Sequence, residues 1–245
     1  IACHQVCTCN QYGAIFGGAY LREEAGTETD TDLNIPGGPI VINSDPTSTE
    51  YGYELVDNSK QRAIGNPNPD FILGWNNVLS YKGLTFNFLL DWREGGDLWN
   101  GTAWALSFFG TSQLTADTRE EAPFAIDGVI READGTTRPN DIEIVRDQGY
   151  WTSSVGGFGA VGEQFVQDGG WVRLREVGLS YQIPAASKFF KGGTVGVSGR
   201  NLWFQSDYDG IDPETSLTGT GNGQGFDYFN MPSTKSVIVR LSLNF

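Results

Sequence analysis

Hydrophobic and polar residues alternate along several stretches of this chain with the two-residue period of a β-strand. In the last stretch, Thr234–Phe245, Val237, Val239, Leu241, Leu243 and Phe245 fall on one side. Ser236, Arg240, Ser242 and Asn244 fall on the other, and Ile238 alone breaks the pattern. Further up the chain, Phe71, Leu73, Trp75, Leu79 and Tyr81 share one parity, opposite Gly74, Asn76 and Ser80. Lys82-Gly83 reads as a tight turn. Leu84, Phe86, Phe88, Leu90 and Trp92 then alternate with Thr85, Asn87, Asp91 and Arg93, so the two runs predict a hairpin. Trp171–Ile183 predicts another strand, with a change of parity inside it: Val172 and Leu174 are even, whereas Val177, Leu179 and Tyr181 are odd. Arg173, Arg175 and Glu176 surround the break, so either a bulge lies there or the upper part stands outside the apolar band. Thr194–Phe204 predicts a strand with Val195, Val197 and Trp203 on one face and Thr194, Ser198 and Arg200 on the other.

The connections are of two lengths. Lys82-Gly83 and the stretch from Ile183-Pro184 to Gly193 are short, whereas 95–170 and 206–233 are long. The first long stretch contains a helical-looking piece, Gly101–Phe109. Structureless connections of that length count against a compact soluble domain. Two-faced strands with long connections at one end and short ones at the other predict an all-β, transmembrane antiparallel barrel with long extracellular loops. Its apolar face meets lipid and its polar face meets a wet lumen. The alternative is a soluble β-sandwich that binds carbohydrate, with the last strand at an edge. Tyr81, Tyr181 and Phe245 lie at the short-turn ends and Trp92 and Trp203 near the long-loop ends. Two interfacial girdles would be placed so, although aromatic residues favour strands in any case.

Composition agrees with a β-rich chain: 33 glycines among 245 residues, 13% aromatic and 39% hydrophobic. The net charge of −14 leaves no basic stripe for nucleic acid. No run of 18 apolar residues occurs, which leaves barrel strands untouched as a possibility. Ile1 is not a Met and no signal-peptide pattern follows it, so the sequence is expected to be a processed chain or an excerpt. Cys3, His4, Cys7 and Cys9 crowd the opening, but their spacing fits no zinc pattern well, and no metal is assigned there. Asp207, Asp209, Asp212 and Glu214 around Gly210 suggest a calcium loop; the loop is too short for an EF-hand and Pro213 is misplaced, so no metal or other cofactor is expected. Enzyme signatures are missing: His4 is the one histidine, and neither G-x-S-x-G nor H-E-x-x-H occurs. Gly219–Gly225 is Gly-rich but has no Lys and no following helix, so it reads as a loop rather than a phosphate cradle.

Several motifs together carry a family resemblance. They are Gly65-Asn-Pro-Asn-Pro-Asp70, Gly74-Trp-Asn-Asn77, Asp91-Trp-Arg-Glu-Gly-Gly-Asp97 and Trp171-Val-Arg-Leu-Arg-Glu-Val-Gly-Leu-Ser-Tyr181. Gly199-Arg-Asn-Leu202, Tyr208-Asp-Gly-Ile-Asp-Pro-Glu214 and Asn230-Met-Pro-Ser233 follow in order. From about Tyr12 to Phe245 the chain resembles the C-terminal part of SusC/RagA-type TonB-dependent outer-membrane transporters. The resemblance implies a barrel of about 22 strands with an N-terminal plug, in the outer membrane of a Gram-negative, Bacteroidota-like bacterium. It further implies TonB as the energy source through a missing N-terminal region, and a SusD-like surface lipoprotein as lid. Glycans or peptides would be the substrates, and the barrel-assembly machinery would recognise Phe245. Five strands, with one more around Tyr12–Arg22, cannot close a barrel. The chain is therefore expected to be one part of a longer or split transporter, with the plug elsewhere. On this reading residues 1–11 are an unassigned Cys-rich segment, 12–69 an extracellular loop region and 70–245 barrel strands with their loops. Trp99, Trp104, Phe108, Phe109, Tyr150 and Trp151 offer faces for sugar rings or peptide side chains; packing within the loops or against the lid is the other reading. Asp91, Arg93, Arg173, Arg175 and Arg200 point into the lumen by parity, with Arg173 and Arg175 taken as substrate contacts; a salt-bridge network against the plug is the alternative.

Overall fold

In a computed structural model the described residues are 13–23, 38–58, 61–157, 161–185, 189, 191–219 and 223–244. The segment with Cys3, His4, Cys7 and Cys9, and the terminal Phe245, lie outside them. The chain divides into two compact units.

One unit is a single antiparallel sheet built from Pro69–Gly95, Asp168–Thr215 and Met231–Phe245. Its strands are β1 (Phe71–Tyr81), β2 (Leu84–Glu94), β3 (Trp171–Ile183), β4 (Gly192–Gln205) and β5 (Ser236–Asn244). Each pairs with the next in sequence, so the sheet is an up-and-down meander. The turn between β1 and β2 holds Lys82 at φ 48° and Gly83 at φ 84°. Both central residues are left-handed, as a two-residue hairpin with the strands' own twist requires.

The registers align the apolar parities into one face. Trp75 lies opposite Leu90 and Leu79 opposite Phe86; Phe88 lies opposite Val177, Leu179 opposite Val197, and Val197 opposite Val239. This face is bare within the chain: Leu79 is 60% exposed and Val239 74%. A sandwich would bury such a face under a second sheet. The parity change in β3 is a bulge. Leu174 pairs with Leu90 of β2 and Glu176 with Leu89, so Arg175 is the additional residue. Against β4, Leu174 pairs with Trp203 and Glu176 with Arg200, leaving Asn201 and Leu202 to face Arg175. Asn201 takes φ 52°, a conformation asparagine tolerates better than most residues. One additional residue in β3 reverses its parity; two in β4 restore it, so Val195, Val197 and Trp203 keep one parity throughout.

The other unit combines the stretch up to Asn68 with Gly96–Gln167 and Ser216–Asn230. The stretch up to Asn68 thus shares a unit with the long excursion 95–170, which carries short helices and strands of its own. Its elements are short. Ile15–Gly17 pairs with Arg62–Gly65, in this unit rather than as a further strand of the large sheet. Asp97–Asn100 runs parallel to Phe226–Asp227. Helix α1 (Gly101–Phe108) starts where Asn100 accepts a hydrogen bond from the Ala103 N–H. Ser112 and Asp147 cap α2 (Gln113–Thr118) and α3 (Gln148–Trp151) in the same way. Ile42, Ile130, Tyr150, Trp151, Val155 and Phe165 lie in its core. No helix among the described residues is long and apolar enough to cross a membrane.

An arginine placed on the bare face tests its environment. Leu179→Arg should destabilise the protein by about 2–4 kcal/mol if that face lies in the hydrocarbon, and Ser180→Arg, on the other face, by far less. Equilibrium unfolding in lipid vesicles measures both; equal costs would contradict a lipid-facing surface.

Candidate functional site

The polar face of the sheet carries a guanidinium cluster. Arg173 is 1% exposed. It donates through Nη2 to Asp212 Oδ1 and through Nη1 to Ser233 Oγ, each at 2.6 Å, while its Nε lies 3.5 Å from Glu214. Its planar head sits between Trp171 and Phe204, with the guanidinium carbon 5.4 and 5.0 Å from the ring centroids. Arg175 donates through Nε to Asp91 of β2 at 2.8 Å and through both terminal nitrogens to Glu214, at 2.8 and 2.7 Å. Burial opposes ionisation of Asp212, but hydrogen bonds from Ser233 and from the Glu214 and Ser233 backbone, with the Arg173 charge, hold its carboxyl below the ordinary range. The two arginines therefore fasten both ends of the connection between β4 and β5 to the sheet. They also engage Asp212 and Glu214, two of the four carboxylates of the calcium-like stretch Asp207–Glu214. No group of three or more metal-ligating side chains occurs among the described residues. Further along the same face, Arg200 Nε lies 3.4 Å from Glu176.

The loop aromatics lie in the other unit and separate into two groups. Tyr150 and Trp151 are 1% and 4% exposed, and so present little face to a ligand. Tyr150 donates to Glu54 at 3.2 Å; burial of Glu54 pushes its carboxyl above the ordinary range. Trp99 and Trp104 are half-buried against each other at 5.3 Å, and Trp104 Nε1 donates to the Gly157 carbonyl at 3.0 Å. Phe108 and Phe109 pack edge to face at 5.1 Å, and Phe109 is largely exposed. These two rings and one edge of Trp151 border a cleft of about 310 Å³ that also takes in Arg119 and Arg146. Sequence reading missed both arginines because neither sits in an alternating strand; their one signal was position, Arg119 at the end of α2 and Arg146 just before Asp147.

A meander with one bare apolar face, one charged polar face and its long connections at a single end is the construction of an outer-membrane barrel wall. Comparisons with known proteins agree. No protein-family model matches the chain. It is 27% identical over 248 residues to TonB-dependent receptor P3 of Formosa agariphila, covering 96% of this chain and 21% of that protein. It is 29% identical over 214 residues to TonB-dependent receptor P26 of the same organism, covering 84% of this chain and 20% of that protein. Among solved structures, the RagAB peptide importer superposes at a TM-score of 0.55 in its closed-closed state, with 16% identity, covering 95% of this chain and 23% of that one. In its open-open state the TM-score is 0.56 at the same 16% identity. The likeness to SusC/RagA-type TonB-dependent receptors thus runs along nearly the whole chain, and the chain spans about a fifth of the length of the curated relatives it matches.

Removing one partner of the Arg173–Asp212 pair strands a buried charge. Arg173→Ala should cost about 3–5 kcal/mol, and the double change of Arg173→Met with Asp212→Leu much less. Because the Asp212 carboxyl is held low in the folded state, its contribution is present above the ordinary aspartate range and lost as pH falls through the lowered value. Protease protection of the 206–233 connection, followed against pH in wild type and Arg173→Ala, reads both effects; identical profiles would contradict the anchoring role.

Proposed function

We propose that this chain is part of a TonB-dependent outer-membrane transporter. The transporter imports oligosaccharides or peptides, and a SusD-like surface lipoprotein closes over it. The observation that carries the reading is the two-faced meander: its apolar residues form one uncovered surface across all five strands, which needs lipid or another layer of protein to cover it. The receptors and the peptide importer it resembles favour lipid, and the sandwich alternative loses its ground. TonB engages a plug domain outside this chain. The long connections face the cell exterior.

Within this reading, Phe108 and Phe109 supply the accessible stacking faces. Trp99, Trp104, Tyr150 and Trp151 act mainly by shaping the loops that present them. Arg173 and Arg175 hold the connection between β4 and β5 in place over the lumen rather than waiting unpaired for substrate.

Uptake in cells with and without TonB tests the proposal. The protein carrying this chain should fractionate with the outer membrane, show heat-modifiable migration, and support uptake that disappears when TonB is removed. Recovery in the soluble fraction, or uptake indifferent to TonB, would sink it.

A further inference from the structure

The arginines of the loop unit are unequally occupied. Arg22, Arg62, Arg131 and Arg138 each pair with a carboxylate. Neither Arg119 nor Arg146 forms a salt bridge within 4 Å among the described residues, although the chain carries 30 acidic residues against 16 basic ones; Arg146 also faces Tyr150 and, at longer range, the buried Glu54. Both guanidinium groups border the same cleft. Arg146 lies 4.6 Å over the Phe124 ring, which fixes its plane. Arg119 donates one hydrogen bond, from Nη2 to the Gly110 carbonyl at 2.5 Å, which leaves most of its fork to the cleft. One carboxylate is present, Asp147, and its Oδ1 is engaged by the Tyr150 N–H at 3.2 Å as the cap of α3. The cleft is thus locally cationic on a strongly acidic chain. Phe108 and Phe109 add apolar ring faces to it.

We propose that this cleft is a subsite for a carboxylate-bearing sugar ring, a uronate unit of an acidic oligosaccharide. The proposal rests on the transporter reading and narrows its substrate class. A guanidinium fork matches a carboxylate with two parallel hydrogen bonds, and an aromatic face takes the C–H face of a pyranose. An acidic peptide side chain satisfies the first requirement and has no ring for the second. A volume of about 310 Å³ suits a small ring system rather than a length of chain. Arg119 is exposed, so each contact is weak and screened by salt.

Titration calorimetry on the detergent-purified protein, with trigalacturonate, neutral trigalactose and triglutamate as probes, tests this. Trigalacturonate should bind with a Kd of order millimolar, weaken as salt rises, and exceed both other probes. Arg119→Gln and Arg146→Gln should each weaken it by about five-fold and the pair together abolish it. Arg119 lies on the surface, so Arg119→Gln leaves the core intact. Arg138→Gln, whose guanidinium already pairs with Glu132 and Asp141, should change nothing. No binding, equal binding of trigalactose, binding indifferent to both substitutions, or triglutamate binding as well as the sugar would each overturn the proposal. TonB-dependent uptake that persists in the double variant would show that the subsite, and not the transporter reading, had failed.

Discussion

Leu174 and Val177 belong to the same apolar face of the sheet although their numbers differ in parity, and an additional residue between them is what permits it. In a regular strand every residue is assigned to one face or the other, and a one-residue slip exchanges the two completely. Arg175 is that additional residue. It absorbs the slip, so the apolar surface stays continuous from β1 to β5, and it concentrates charge on the opposite side. Arg173, Arg175 and Glu176 all serve the polar face within four consecutive positions, a density no unbroken alternation reaches. The bulge and the guanidinium cluster are therefore one device. The irregularity that would cost ladder hydrogen bonds is offset where Asp91, Asp212 and Glu214 converge on the arginines it positions.

The same device explains how a long connection can be well defined without strands of its own. The ends of the segment between β4 and β5 are fixed to the sheet by Asp212, Glu214 and Ser233, each through a charged hydrogen bond to Arg173 or Arg175. Its middle, Phe226–Asp227, pairs with Asp97–Asn100. The connections thus pack into a unit with its own buried core, and Tyr150 and Trp151, two of the aromatic residues that look like ligand contacts in the sequence, lie inside it.

Strand content was legible because the period-two signal is local. Trp171–Ile183 was predicted at its observed bounds, and the parity break in it pointed to the bulge. The tight turn between β1 and β2 was legible from Lys82-Gly83. The destination of the aromatics was not, because it depends on partners far away in the chain: Tyr150 is buried on Glu54, 96 positions earlier. A tryptophan in a polar stretch looks the same whether a ligand or a neighbouring segment covers it. Parity likewise gave the side of the sheet for Arg173 and Arg175 but not their partners, since Asp212 and Ser233 lie in a connection without periodicity. That Arg119 and Arg146 share a cleft without a close salt bridge is visible only once the fold brings them together.

The central claim is that one face of this meander meets lipid and the other water, with the exchange of parity at Arg175. Spin labels placed singly from Val172 to Ile183 in the vesicle-reconstituted protein test it most directly, through accessibility to oxygen in the bilayer and to a water-soluble nickel reagent. The account predicts oxygen maxima at 172, 174, 177, 179 and 181, with nickel maxima between them and a reversal of phase at 175. An alternation that runs through 175 without reversal, or nickel access on both faces, would contradict it.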